Sequence, residues 1–275
     1  VTRLHFIECA GNRANRRHTT VQETHGMTSC AEWTGVLLST LLEEAGVQEG
    51  GDWLVVEGVE EVKGASSIPM TKAMDDCLLC YGMNGEAVRP QQGFPLRLVA
   101  PGFEGIFNTK WVRRIKVVDQ YYMTYNDFGH LTQDPVNAAL GYQIGPKSVI
   151  TYPSGGQQLP GPGFYEVSGL AWSGGGAVSR VEVSTDGGQT WMDADIRGTA
   201  QRMAHTRFSF NWEWDGSECE LQSRCTDEIG QLQPSRAQAG EFFNQSGSQP
   251  RVRGQDNTIQ PWRIESDGSV HNAIA

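Results

Sequence analysis

The first residues of the chain alternate apolar and polar side chains, which is the pattern of a β-strand with one buried face. This strand-like run, residues 6–8, ends at Cys9, and the turn residues Gly11 and Asn12 follow almost at once. A thiol in this place is held on regular backbone, and the turn leaves space in front of it. Such a thiol suits a metal ligand or a nucleophile, because both need an ionised and partly exposed sulfur. A cysteine buried at the end of a strand is the alternative.

The first half of the chain mixes strands with one clear helix. Apolar residues recur at helical spacing over 36–45, and Gly46 ends the pattern. Strand-like runs lie around the helix at 53–57, 77–83, 95–100 and 111–118. Interleaved strands and helix predict a mixed α+β domain over residues 1–120. Residues 121–147 carry few periodic signals and are predicted to form a linker or crossing segment.

Beyond residue 147 the pattern changes to short alternating runs separated by glycine turns. The plainest strands lie at 165–172, 178–184, 207–214 and 221–226. The third run places Phe208, Phe210, Trp212 and Trp214 on one face, which needs a facing sheet to cover it. This pattern predicts an all-β sandwich over residues 148–275.

Residues 184–191 form a turn motif of the Asp-box type, Ser-Thr-Asp-Gly-Gly-Gln-Thr-Trp. The Asp186 side chain can accept hydrogen bonds from backbone amides in the turn, and Trp191 can pack beneath it. A sialidase-like propeller repeats such boxes from blade to blade, whereas this sequence contains one. We therefore predict a single stiffened β-hairpin, with a glycan-binding β protein as the alternative.

Composition narrows the class of protein. The chain is 38% hydrophobic and 20% charged with a net charge of −10, which is typical of a globular protein and argues against a nucleic-acid binder with a basic face. No apolar run approaches the roughly 20 residues of a membrane helix. The sequence begins at Val1 inside a strand-like segment, so we expect it to lack an N-terminal part.

The six cysteines do not show the spacing of a disulfide framework. Cys77 and Cys80 have the two-residue spacing of zinc and redox motifs, but they lie in an apolar run without a second pair or a histidine cluster. Buried core cysteines are the prediction, and a metal or redox role is the alternative. Because Tyr81 follows Cys80, this pair is not a haem attachment motif, and we expect no haem in this chain.

Several segments, taken in order, resemble the sulfite oxidase family of molybdopterin enzymes. The matching segments are 8–12, 32–36, 67–69, 83–85, 93–97, 99–102, 110–111, 169–175, 186–191 and 259–268. Each segment alone is a weak signal, but the series is specific and covers nearly the whole chain. Gln92 and Asn108 stand where animal sulfite oxidases typically carry histidines, which is similar to the bacterial sulfane dehydrogenase branch.

The resemblance implies a molybdenum–molybdopterin cofactor whose metal is bound by Cys9. A soft thiolate suits such a metal–sulfur core. It also implies that Arg97 and Lys110 hold the pterin and its phosphate, through a planar guanidinium and a point charge respectively. Ordinary surface charge is the alternative for these two residues. The further cofactor-binding residues implied by the resemblance are Glu60, Gln92, Asn108 and Thr109.

The function implied is oxidation of sulfane sulfur or sulfite by oxygen-atom transfer, with electrons leaving to a c-type cytochrome. Arg13 is a candidate for steering an anionic substrate, with a solvated loop as the alternative. Tyr125 is the candidate tyrosine near the metal, although Tyr121 and Tyr122 lie in the same region. Free sulfite as the substrate is the alternative to sulfane sulfur on a carrier protein.

The second half resembles the dimerisation domain of the family, an immunoglobulin-like sandwich. The resemblance therefore implies a homodimer or a place in a hetero-oligomer, and a periplasmic location. If Cys9 bound nothing, the protein would instead be a non-catalytic assembly module for a cytochrome or sulfur-carrier partner. Molybdenum content separates these two hypotheses.

Overall fold

The computed structural model describes residues 1–59, 64–125, 142–239 and 256–274. The helices are α1 (Val21–His25), α2 (Leu38–Glu44) and α3 (Met70–Asp75), and two 3-10 turns cover Pro90–Gln92 and Gly105–Phe107. The strands are β1 (Thr2–Glu8), β2 (Thr28–Leu37), β3 (Trp53–Gly58), β4 (Ala65–Pro69), β5 (Leu78–Met83), β6 (Glu86–Ala87), β7 (Arg97–Val99), β8 (Val112–Val118), β9 (Lys147–Tyr152), β10 (Gly163–Trp172), β11 (Val178–Ser184), β12 (Met192–Asp193), β13 (Asp195–Arg197), β14 (Thr206–Trp214), β15 (Cys219–Asp227), β16 (Trp262–Ile264) and β17 (Val270–Asn272). Within the described ranges, no helix is both long enough and apolar enough to span a membrane.

The chain forms two compact units. Among the described residues, the first unit contains 1–10 and 29–143, and the second contains 11–28, 144–239 and 256–274. The chain therefore leaves the first unit directly after the pair Cys9 and Ala10. The domain bounds 1–120, 121–147 and 148–275 stay a prediction.

The first unit combines two sheets with short helices. One sheet has the order β1-β2-β5-β6, with β7 also pairing with β5, and the other has the order β4-β3-β8. Leu54 of β3 and Ile68 of β4 are fully buried, and Leu38 and Leu42 of α2 pack into the same core cluster. Because each such side chain contributes about 1.5–3 kcal/mol on burial, this cluster holds the helix against the smaller sheet.

The predicted helix over 36–45 begins two residues later than its pattern suggests. Val36 and Leu37 belong to β2, where they pair with Leu79 and Leu78 of β5. The helix begins at Leu38, whose amide donates to the carbonyl of Cys77. Pairing with β5 thus places Val36 and Leu37 in β2, and the helix starts directly after them, since tertiary context overrides local helix propensity.

The second unit contains two antiparallel sheets. Their orders are β13-β14-β10-β9 and β12-β11-β15-β16-β17. The sheets are joined by Trp262 of β16, which is fully buried and whose Nε1 donates to the Ile150 carbonyl of β9 at 3.0 Å. The aromatic face predicted on β14 is confirmed, since Phe208, Trp212 and Trp214 are buried.

The Asp-box segment forms the turn between β11 and β12. Asp186 Oδ1 accepts from the amides of Gln189 at 3.0 Å and Thr190 at 2.9 Å. These hydrogen bonds, with that from the Thr190 hydroxyl, lower the pKa of Asp186 to about 2. The guanidinium of Arg224 lies 4.2 Å from the ring centroid of Trp191. The prediction of a stiffened hairpin is confirmed.

Candidate cofactor site

Cys9 lies directly after β1, where the chain leaves the regular strand. Its neighbours Glu8 and Ala10 are buried, while Cys9 itself is exposed. Cys9 is the one exposed residue among the six cysteines, because Cys30 and Cys219 are half-buried and the other three are buried. Because β1 ends directly before Cys9, regular backbone holds this residue in an exposed position.

Cys77 and Cys80, unlike Cys9, are buried cysteines. Both thiols are completely buried among apolar side chains. Burial raises the pKa of Cys80 to about 12 and that of Cys77 still further above its usual value, because a thiolate is poorly solvated there. The prediction of core cysteines is confirmed for this pair.

Arg97, the first residue of β7, is a buried cation. Its side chain is 3% exposed, and its guanidinium carbon lies 4.8 Å from the ring centroid of Trp33 on β2. The two terminal nitrogens donate to the carbonyls of Gln92 at 3.0 Å and Asn108 at 3.2 Å. Desolvation lowers the pKa of Arg97 to about 10, so the guanidinium remains charged at neutral pH.

Asn108 and Thr109 organise the backbone beside this guanidinium. Asn108 Oδ1 accepts from the Ala100 amide at 2.9 Å, and the hydroxyl of Thr109 lies 3.0 Å from that of Ser66. Both side chains are buried and bound to protein groups. Their side chains fix the shape of this segment.

Lys110 is the next residue of the same segment, after Thr109. Its Nζ donates to the carbonyl of Gln91 at 2.8 Å and lies 5.4 Å from the ring centroid of Trp111. Trp111 in turn donates from Nε1 to the carbonyl of Pro90 at 2.9 Å. The 3-10 turn at Pro90–Gln92 is therefore held by the two residues that directly precede β8.

Two glycines allow these segments to approach closely. Gly93 has a φ of 113°, and a Cβ added there would come within 3.1 Å of both Arg97 Cβ and Lys110 Cα. A Cβ on Gly105 would lie 2.9 Å from the Glu8 carbonyl oxygen. The short turn that begins at Gly105 thus packs against the end of β1, and it ends at Asn108, whose carbonyl binds Arg97.

The residues of this region fit an anionic, acceptor-rich cofactor such as a pterin phosphate. Arg97 Nε is buried and has no hydrogen-bond partner among the described residues, so one charged donor is available to an acceptor. Lys110 adds a second cation within the same packed segment. The exposed Cys9 supplies a soft donor atom, which suits a metal bound through sulfur.

Three predicted site residues are not brought into this cluster by the described structure. Arg13 is half-buried and belongs to the second unit. Tyr125 is 58% exposed at the end of a described range, and Glu60 lies outside the described residues. Tyr121 packs edge-on against Trp53 with ring centroids 5.1 Å apart.

The sequence alone does not identify Trp33 as part of this site. Its ring is buried at 1% exposure, and it also forms the face on which Arg97 stacks. The contact depends on the pairing of β2 with β5 and of β5 with β7. No signal in the neighbourhood of either residue indicates it.

Comparison with known proteins gives matches along the chain. Residues 1–126 match the model of the oxidoreductase molybdopterin binding domain, and residues 139–241 match that of the Mo-co oxidoreductase dimerisation domain. The crystal structure of the sulfane dehydrogenase SoxCD from Paracoccus pantotrophus is similar with a TM-score of 0.87 and 39% identity, covering 100% of this chain and 72% of that chain.

Curated relatives are similar at lower coverage of their own length. Mitochondrial sulfite oxidase of Homo sapiens is 34% identical over 234 residues, which are 76% of this chain and 42% of that protein. A nitrate reductase of Hordeum vulgare is 32% identical over 76% of this chain and 27% of its own length. The chain thus spans less than half the length of these two relatives.

Proposed function

This chain belongs to the sulfite oxidase family of molybdopterin oxidoreductases, and from that premise we propose that it oxidises a sulfur compound, either sulfane sulfur or sulfite. The observation that carries the proposal is the exposed thiol of Cys9 at the end of β1, joined by the Gly105 turn to the buried Arg97. When bound, the molybdenum cofactor would supply two-electron oxygen-atom transfer to the sulfur, and the electrons would pass to a c-type cytochrome.

In this proposal Cys9 is the protein ligand of molybdenum. Arg97 offers its unsatisfied Nε to an acceptor of the pterin or its phosphate, while its other donors remain on the Gln92 and Asn108 carbonyls. Lys110 contributes a second positive charge. The remaining cofactor-binding residues are proposed to be Glu60, Gln92, Asn108 and Thr109.

The substrate side of the proposal rests on charge. Sulfite and thiosulfate-like sulfur compounds are anions, and Arg13 follows Cys9 by four positions in a chain whose net charge is −10. We assign Arg13 to substrate steering and Tyr125 to proton or hydrogen-bond donation near the metal. Sulfane sulfur on a carrier protein is the preferred substrate, because the similar solved structure is that of a sulfane dehydrogenase.

The second unit is proposed to be an immunoglobulin-like dimerisation domain. Its two packed antiparallel sheets and the dimerisation-domain match over 139–241 support this assignment. A homodimer or a hetero-oligomer with a cytochrome follows from it, and a periplasmic location is part of the same proposal. A non-catalytic assembly module is the competing function, since a dimerisation domain alone needs no metal.

The test is molybdenum per chain, measured by elemental analysis after expression in a host that makes the cofactor. We compare the wild type with Cys9→Ser and with Cys30→Ser, a half-buried thiol that serves as the control. We expect near-stoichiometric metal and sulfur-dependent cytochrome reduction in the wild type and in Cys30→Ser. We also expect loss of activity, with changed or absent metal, in Cys9→Ser.

The outcomes separate the candidate functions. A folded wild-type chain without molybdenum would contradict the enzyme and favour the assembly module. Equal activity in Cys9→Ser and the wild type would contradict the assignment of Cys9. Turnover of free sulfite without any carrier protein would favour a sulfite dehydrogenase over a sulfane dehydrogenase.

A further inference from the structure

The loop that follows Cys9 is held through its backbone carbonyls by side chains from distant parts of the second unit. Lys147 Nζ, 135 residues away, donates to the carbonyl of Asn12. Arg236 donates to the carbonyl of Ala14 at 3.4 Å across 222 residues. Asn272 Nδ2 donates to the carbonyl of Asn15 at 3.0 Å and to that of His18 at 2.7 Å. Three remote residues thus bind four carbonyls within seven residues of chain.

Packing alone does not explain why one of these donors, Lys147, is buried. Lys147 is only 2% exposed although it opens a strand of the sandwich. Burying an ammonium group is costly, and an apolar side chain of similar length would avoid that cost. Buried polar groups are retained in some proteins because they fix one conformation, and the bound Asn12 carbonyl identifies the conformation fixed here.

The same loop is also ordered from within. The amide of Arg13 donates to the Gly11 carbonyl at 2.8 Å, and that of Arg17 donates to Asn15 Oδ1 at 2.8 Å. Asn12 Oδ1 accepts from the Met27 amide at 2.9 Å. The backbone that carries Arg13 is therefore fixed on both sides of that residue.

We propose that Lys147, Arg236 and Asn272 act as a carbonyl clamp, a set of positioning residues that holds the loop so that Arg13 meets an anionic sulfur substrate in one orientation. This inference rests on the proposed function for the role of Arg13. The clamp itself rests on the hydrogen bonds within the second unit. An arginine on a fixed backbone loses less conformational entropy on binding an anion than one on a mobile loop does, so the clamp lowers KM.

The test uses the full chain and three variants of the clamp. Asn272→Asp keeps the acceptor that Gln260 and Ile274 bind but removes the amide donor. Lys147→Met removes the ammonium at similar length, and Arg236→Gln changes an exposed residue, so we expect it to fold like the wild type. Ser148→Ala is the matched control, because Ser148 is buried on the same strand and binds Ser223 and Gln233 instead of the loop.

Two measurements decide the proposal. Amide hydrogen exchange of residues 13–18 is expected to be about tenfold faster in Lys147→Met than in Ser148→Ala, the factor that one lost hydrogen bond of about 1.4 kcal/mol predicts. Asn272→Asp loses two hydrogen bonds to the loop and is expected to increase exchange at least as much. The weaker contact of Arg236 predicts a smaller increase. In the loaded enzyme, we measure KM with the sulfur substrate that the wild type turns over, carrier-bound sulfane sulfur or free sulfite. This KM is expected to rise several-fold in the same order with little change in kcat.

Each outcome has one meaning. Loop exchange equal to that of Ser148→Ala would overturn the clamp, and faster exchange with an unchanged KM would overturn its role in presenting Arg13. A wild-type chain without molybdenum-dependent turnover would refute the proposed function and the substrate role, while the exchange rates alone would still decide the clamp.

Discussion

The buried contact between Arg97 and Trp33 allows a quantitative test of the candidate cofactor site. Arg97→Met keeps the length of the side chain but removes the charge that stacks 4.8 Å from the Trp33 centroid. It also removes the donors to the carbonyls of Gln92 and Asn108. The perturbation therefore removes both the charge and the hydrogen bonds of one buried group.

Opposing effects set the expected loss of stability. Hydrogen bonds from a charged donor contribute about 1.5–3 kcal/mol each, and a desolvated cation–π contact contributes about 2 kcal/mol. Against this, the fall of the Arg97 pKa from 12.5 to about 10 shows that burial disfavours the charged form by about 3 kcal/mol. We expect Arg97→Met to lower the free energy of unfolding of the cofactor-free chain by about 3 kcal/mol.

The assay is urea unfolding of the cofactor-free chain in a double-mutant cycle with Trp33→Leu, which removes the aromatic face that Arg97 contacts. Because the two side chains are in contact, we expect a coupling energy of about 1–2 kcal/mol. Tyr121→Phe in the same unit is the control partner, and its cycle with Arg97→Met should give a coupling near zero. A coupling below about 0.3 kcal/mol for the Trp33 pair would refute the reasoning, because the stacked geometry would then contribute nothing.

Two further predictions follow from the pKa values. Burial and the charges of Lys147, Arg236 and His18 hold the pKa of His25 well below its usual 6.5, so the unfolded chain binds the extra proton. Stability that is present above pH 6.5 should then fall by up to about 1.4 kcal/mol per pH unit below it, and His25→Gln, unlike the control His271→Gln, should flatten this dependence in urea titrations at pH 5–7. A steep slope that survives in His25→Gln would contradict this. At pH 8, Cys80 with a pKa raised from 9.0 to about 12 should be alkylated about a thousandfold more slowly in the native than in the unfolded chain, and a ratio under ten by mass spectrometry would contradict its burial.

Much of the fold follows from local patterns. The run 178–184 coincides with β11, and 207–214 lies within β14. In β14 the even-numbered positions face the core for most of the strand, which gives the period of two that the sequence shows. The start of α2 at Leu38 could not be located in the same way, since pairing of Val36 and Leu37 with β5 decides it. Local periodicity specifies elements well and their ends less well.

The candidate site was predictable only in part. The position of Cys9 after a strand is visible in the sequence, and so is the glycine next to the Arg97 segment. The burial of Arg97 is not, because an arginine at this position is equally compatible with a sheet surface until the register of β2, β5 and β7 is known. The carbonyl clamp spans 135 to 257 residues of sequence, a range over which no local pattern operates.

The close approach at Gly93 and Gly105 has a consequence for directed evolution of this protein. A methyl group at either position meets backbone or Cβ atoms within about 3.1 Å, so every replacement shifts a segment that carries Arg97, Lys110 or Glu8. Gly85, by contrast, has open space around its added Cβ, and only its φ of 78° restricts replacement there. Libraries of variants of this chain should therefore keep Gly93 and Gly105 fixed, because changes at these two positions alter the segments that present Arg97 and Lys110.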